Sequence, residues 1–197
     1  MTPITFAPAA RLRPVLRWMI TFVGFPLGGL AAMLLTGPVD STATAAIGGL
    51  VTGTVLGGVQ AWGLRLQRRA ALGWIMATGG GLAFGLAAGA TVIGFGTTVP
   101  QLAIQGAVCG ACVGVGQLIV LGRKLGRMGG LWPIYLACAW ALGWTVTAAI
   151  GVRVDESFTV FGSAGALVVA GLTYVLPATL RRAGFGRTER TSKGNAS

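Results

Sequence analysis

The chain has 197 residues, a net charge of +11 and no histidine, and 10% of its residues are charged. A soluble domain carries about a quarter charged residues, so there is too little polar surface here to cover one, and a mean hydropathy of +0.77 agrees. The apolar residues run in long uncharged stretches, the pattern of an all-α transmembrane protein, while the basic residues cluster between those stretches rather than on a face that nucleic acid could use.

A hydrocarbon core of about 30 Å needs roughly 20 helical residues to cross it. The first stretch that qualifies covers 14–36, after a short N-terminal segment 1–13 expected in the cytoplasm. Arg11 to Arg17 ahead of an apolar run also fits a signal peptide, with Ala43-Thr44-Ala45 as its cleavage site. The run is long for such a peptide and carries Pro26 in its middle, so it is read as a span. Five more spans follow at 43–64, 71–93, 101–122, 130–152 and 158–180, and a polar basic tail occupies 181–197, where disorder is expected. The connections are short: "GPVDST", "RLQRRA", "GFGTTVP", "RKLGRM" and "RVDES". Short connections make consecutive helices antiparallel neighbours. One six-helix domain, 14–180, is therefore expected.

Orientation follows from the arginines and lysines. Arg11, Arg13 and Arg17 precede or open the first span, and Arg65, Arg68 and Arg69 join the second to the third. Arg123, Lys124 and Arg127 join the fourth to the fifth, and the tail holds Arg181, Arg182, Arg187, Arg190 and Lys193. Only Arg153 falls on the other side, beside Asp155 and Glu156. Cytoplasmic loops are the ones enriched in Lys and Arg, so both termini are expected in the cytoplasm, with the chain in a bacterial inner membrane.

Two stretches repeat. "GGLVTGTVLGGVQAWGL" and "QGAVCGACVGVGQLIVL" align Gly49, Gly53, Gly57, Gln60 and Leu64 with Gly106, Gly110, Gly114, Gln117 and Leu121 at an offset of 57. Beyond the next loop the offset is 58, and Trp74 and Gly85 meet Trp132 and Gly143. The repeat unit is thus a whole helical hairpin, about 45–94 and 102–152. Two spans per unit make the copies parallel in the membrane. The sixth span reads as a worn third copy, with Ser163 and Gly171 at the outer glycine positions, Leu167 at the middle one and Tyr174 at the glutamine. The first span would then close a pseudo-threefold ring.

Residues four apart share a helix face, and small ones let backbones approach in lipid, where apolar burial alone does not drive association. Such lines recur: Gly24 and Gly28; Gly49, Gly53 and Gly57; Gly81, Gly85 and Gly89; Gly106, Gly110 and Gly114; Ala139, Gly143 and Thr147. We take them as helix-packing positions.

The line GxxxGxxQxxxL before a basic turn, followed by "WIMATGGGLAFG" from Trp74 to Gly85, resembles a group of bacterial polytopic membrane proteins that repeat a glycine-zipper helix, an Arg-rich turn and a Trp-led helix. The resemblance covers roughly residues 49–145 and departs at Ala61 and Gly122. It implies the hairpin architecture and carries over no site residues.

Chemistry has few parts to work with. The acids are Asp40, Asp155, Glu156 and Glu189, all in loops or the tail. No intramembrane charge marks a proton or ion pathway, and neither a metal site nor a Ser-His or paired-Asp centre can be assembled. No catalytic residue, cofactor or metal is expected, and the protein is not read as an enzyme. Cys109-Gly110-Ala111-Cys112 is a C-x-x-C, read here as small apolar residues in a zipper helix rather than a redox pair. Gly79-Gly80-Gly81 is read as packing rather than a helix break. Trp18, Trp62, Trp74 and Trp132 fall near the cytoplasmic ends of spans and are expected in an aromatic belt; Trp140 and Trp144 lie deeper. Gln60 and Gln117, at matching positions, are the polar candidates, for a ligand or for hydrogen bonds between helices.

Two functional readings remain. One is a structural or accessory membrane protein, self-associating or a subunit of a larger complex, with anionic lipid head groups at its basic side. The other is a small-solute transport component, similar in size and topology to the substrate-binding subunits of energy-coupling-factor vitamin transporters. Those carry larger outer loops than the ones found here.

Overall fold

The computed structural model describes residues 9–122, 129–151, 163–174 and 176–182, and these residues are helical with short connections. Helix α1 (Ala9–Ile20), a 3-10 turn (Thr21–Val23) and α2 (Gly24–Thr36) form the first span. Helices α3 (Thr42–Leu64), α4 (Arg68–Ile93), α5 (Val99–Leu121) and α6 (Trp132–Ala149) are the next four. The sixth is divided between α7 (Ser163–Leu172) and α8 (Leu176–Arg182). Six helical segments, from Pro14–Thr36 to Ser163–Leu180, are long and apolar enough to cross a membrane. The expected N-terminal segment 1–8, the basic loop 123–128, the outer loop 152–162 and the tail 183–197 lie outside the described residues.

Local chemistry sets the helix ends. Ser41 caps α3: its hydroxyl accepts the Thr44 N–H at 3.2 Å, and Thr44 Oγ1 accepts the Ser41 N–H at 3.0 Å. This satisfies backbone donors that a helix start leaves free. Thr98 and Gln101 form a second box at the start of α5. The α4 helix stops where Gly94 turns left-handed at φ 61, releasing the chain into the next loop. Between its ends α4 runs unbroken through Gly79, Gly80 and Gly81. Glycines cost a helix about 1 kcal/mol each relative to Ala, and contacts with both neighbouring helices offset that cost here.

Each helix packs on its successor, and α7 returns to the 3-10 turn, α1 and α2, so the six spans close into a ring. Small and polar residues share the interior with an apolar core, and large apolar side chains also face outward. Gly49, Gly53, Gln60, Thr78 and Gln117 are buried, whereas Met76 is 72% exposed and Ile119 76%. Large apolar side chains lose nothing by facing lipid tails, and small or polar ones gain by facing another helix.

The sixth span differs from its expected form. It unwinds after Leu172, ahead of Pro177, which cannot donate a backbone hydrogen bond. The Leu176 N–H turns back to the Thr173 carbonyl at 2.9 Å, and the Tyr135 hydroxyl of α6 donates to the Leu172 carbonyl. Backbone groups inside a membrane must find partners within the protein, and Tyr135 supplies one at the break.

Candidate functional site

About one turn inside the basic end of the bundle, side chains from all six spans meet. Gln60 stands four residues before the end of α3, Gln117 four before the end of α5. Trp74, near the start of α4, donates its indole N–H to Gln60 Oε1 at 3.1 Å. Trp132, the first residue of α6, donates to Gln117 Oε1 at the same 3.1 Å. The same contact is therefore made twice, once in each hairpin. A third tryptophan completes the set, with Trp18 of α1 donating to Thr173 Oγ1 at 3.1 Å. The Thr173 hydroxyl donates in turn to the Val169 carbonyl at 2.7 Å, and Gln117 Nε2 donates to Thr78 Oγ1 at 3.2 Å, tying α5 to α4.

The indoles fill the space the glycines leave. Trp18, Trp74 and Trp132 are 2%, 0% and 8% exposed, so their placement in an aromatic belt is corrected. Each N–H finds an acceptor on a neighbouring span, which a tryptophan at the lipid interface would seek in water. Trp62, at 57% exposed, is the one of the four that faces outward. Trp140 and Trp144 are also buried, and Trp140 meets Phe25 edge to face at 5.0 Å. The gap left among these side chains is about 10 Å³, the room of roughly one water molecule.

In the sixth span Thr173 accepts the Trp18 indole N–H, and the adjacent Tyr174 is 51% exposed. Gly171 has open space around it, while Gly165 meets the Gly143 carbonyl and Thr147 of α6.

The glycine lines lie between the helices. A Cβ on Gly49 would stand 2.6 Å from the Leu82 carbonyl oxygen, on Gly53 2.7 Å from that of Thr78, and on Gly57 3.0 Å from Ile75 Cα. In the other hairpin, a Cβ on Gly106 would stand 2.7 Å from the Trp140 carbonyl oxygen, on Gly110 2.9 Å from Ala137 Cα, and on Gly114 2.5 Å from Pro133 Cα. Between the hairpins, Gly81 and Gly85 each leave 2.7 Å to a Cα of α5, Val113 and Cys109, and Gly89 makes room for the Gln105 amide. Gly28 brings the first span against Thr52 in the same way, at 2.8 Å from its carbonyl oxygen.

Three polar residues of this interior escaped the sequence reading. Thr78 lies four residues after Trp74, on the same helix face. Thr173 stands one residue before Tyr174, the position that aligns with Gln117. Gln105 is fully buried against α4, with Nε2 directed to Cys109 Sγ at 3.2 Å and more loosely to the Gly85 carbonyl at 3.4 Å. Cys109 is buried, Cys112 half-buried and Cys138 exposed, and all three are free thiols. Among the described residues no cluster of three or more His, Cys, Asp or Glu could hold a metal ion. Comparisons of the chain with family models, with curated proteins and with solved structures find no match.

Proposed function

We propose that this protein is an integral membrane protein of structural or accessory type, working through its packed helices and not through catalysis. It sits in a bacterial inner membrane with both termini cytoplasmic, as the basic loops indicate. Its two glycine-zipper hairpins are parallel copies of one unit, and a divergent third pair is formed by the sixth and first spans. The Trp74–Gln60 and Trp132–Gln117 bonds, alike in length and place, support the duplication. The Trp18–Thr173 bond supports its extension to a third pair. The resemblance to bacterial membrane proteins with Trp-led hairpins agrees with that architecture.

One observation carries the reading. Where six spans converge, three indoles fill the middle and leave about 10 Å³, against the roughly 300 Å³ or more that a small-molecule site occupies. A transport component similar to a vitamin-binding subunit would need such a site, and the filled interior gives it no support. Gln60 and Gln117 act instead as acceptors that lock the hairpins. An accessory protein of this kind acts on what packs beside it in the membrane, either a second copy or a subunit of a larger complex.

Mass spectrometry of the protein purified from its native membrane tests this. A stoichiometric membrane-protein partner, or a defined homo-oligomer, is the expected result. A stoichiometric small solute that disappears in the Gln60→Leu/Gln117→Leu variant would overturn it.

A further inference from the structure

Beside the first and second spans, at their basic end, the surface opens into a groove of about 500 Å³. It is lined by Gly58, Ala61 and Ile75 together with Arg17, Arg65 and the exposed Trp62. We propose that this groove is a binding site for one anionic glycerophospholipid, with the two arginines on its phosphate and an acyl chain along Gly58. The proposal deepens the membrane reading above and rests on it.

Three observations converge. Gly58 is a glycine that helix packing does not require, since a Cβ there would meet nothing within 4 Å, whereas its neighbour Gly57 is in tight contact. An open helical glycine lining a groove leaves room for a chain. Arg65 caps the C-terminus of α3 in the left-handed conformation at φ 56 and lines the same groove. Arg17 enters the groove half-buried from the first span. Charge supplies the selection. The chain carries +11, and basic pockets between spans on the cytoplasmic side suit anionic head groups. Trp62, more than half exposed in the same groove, is placed as an interfacial tryptophan should be.

Native mass spectrometry of the full chain in detergent, titrated with dioleoyl phosphatidylglycerol or dioleoyl phosphatidylcholine, tests the site. The expected result is retention of one phosphatidylglycerol in preference to phosphatidylcholine. Arg17→Gln/Arg65→Gln should weaken it about ten- to thirty-fold, while Arg68→Gln/Arg69→Gln, with the same loss of charge outside the groove, retains it. Gly58→Leu, whose Cβ enters the groove without meeting a neighbour, should also lose the lipid while keeping wild-type thermal stability, and it serves where the arginine variants fold poorly. Equal retention of both lipids, equal loss in both arginine pairs, or undiminished binding in Gly58→Leu would each overturn the proposal. Displacement by millimolar inorganic phosphate would make it a small-anion site and overturn the lipid. Should the chain prove extractable from membranes by carbonate, the six-span reading itself fails; a chain that stays inserted but shows no lipid preference fails only here.

Discussion

At Gly53 an added Cβ would stand 2.7 Å from the Thr78 carbonyl oxygen and 2.8 Å from Gly79 Cα, both backbone atoms that cannot swing away. At Gly58 the same atom would meet nothing. Leucine at Gly53 or at Gly110 therefore has to push two helices apart, and overpacking of this kind costs about 1–3 kcal/mol. Thermal unfolding in detergent should show both variants destabilised, with Gly58→Leu unchanged or slightly more stable because leucine is the better helix former. Wild-type stability for Gly53→Leu and Gly110→Leu would mean that those glycines face lipid. The tryptophan–glutamine pairs make a different prediction. Replacing Gln117 by Leu strands the Trp132 N–H, and replacing Trp132 by Phe strands the Gln117 oxygen; each leaves a buried polar group worth about 1–3 kcal/mol. Removing both leaves neither stranded, so the double variant should cost less than the sum of the singles. Strict additivity would say that the two side chains do not depend on each other.

Among the elements, the sixth span is interrupted between α7 and α8, and α6 satisfies the break. The break between α7 and α8 frees the Leu172 carbonyl, and the Tyr135 hydroxyl takes it. Hydrogen bonds between helices in membranes contribute about 0.6–2 kcal/mol. Tyr135→Phe should lower stability by that amount and raise amide exchange in α7 before α3 or α5. Unchanged exchange in α7 would show that the carbonyl finds another partner. The unbroken course of α4 through three consecutive glycines makes a complementary point. Propensity weakens that helix locally, and contacts of Gly81 with Val113 on one neighbour and of Gly79 with Thr54 on the other hold it straight.

For the whole molecule, topology carries the widest consequence. A cysteine at Thr97, exposed in the connection between α4 and α5, should be labelled by an impermeant maleimide from outside intact cells. A cysteine at Gln67, exposed between α3 and α4, should be labelled only after permeabilisation. The reverse pattern would invert the bundle and place the tryptophan node and the lipid groove at the outer face. Much of this architecture was legible along the chain. The span ends differ from their expected positions by a few residues, and the two glutamines stand out by their spacing from the glycines. Thr173 and the inward turn of three tryptophans were not legible, because neither is marked by any pattern within its own helix.

The sequence by itself determined that six helices form and how long they are, because span length reflects only a run of apolar residues measured against the thickness of hydrocarbon. It also determined which faces carry small residues, since a spacing of four is a property of one helix alone. Only the tertiary structure decided what each face meets. Lipid tails are as apolar as leucine, so hydropathy cannot tell a tryptophan that looks outward from one that looks inward. That choice rests on whether an acceptor such as Gln60, Gln117 or Thr173 arrives from another span. The same holds for Gly57 and Gly58, adjacent and chemically identical, one pressed against Ile75 and the other open. Their difference exists only once α4 has packed against the Gly57 side of α3 and left a groove at Gly58.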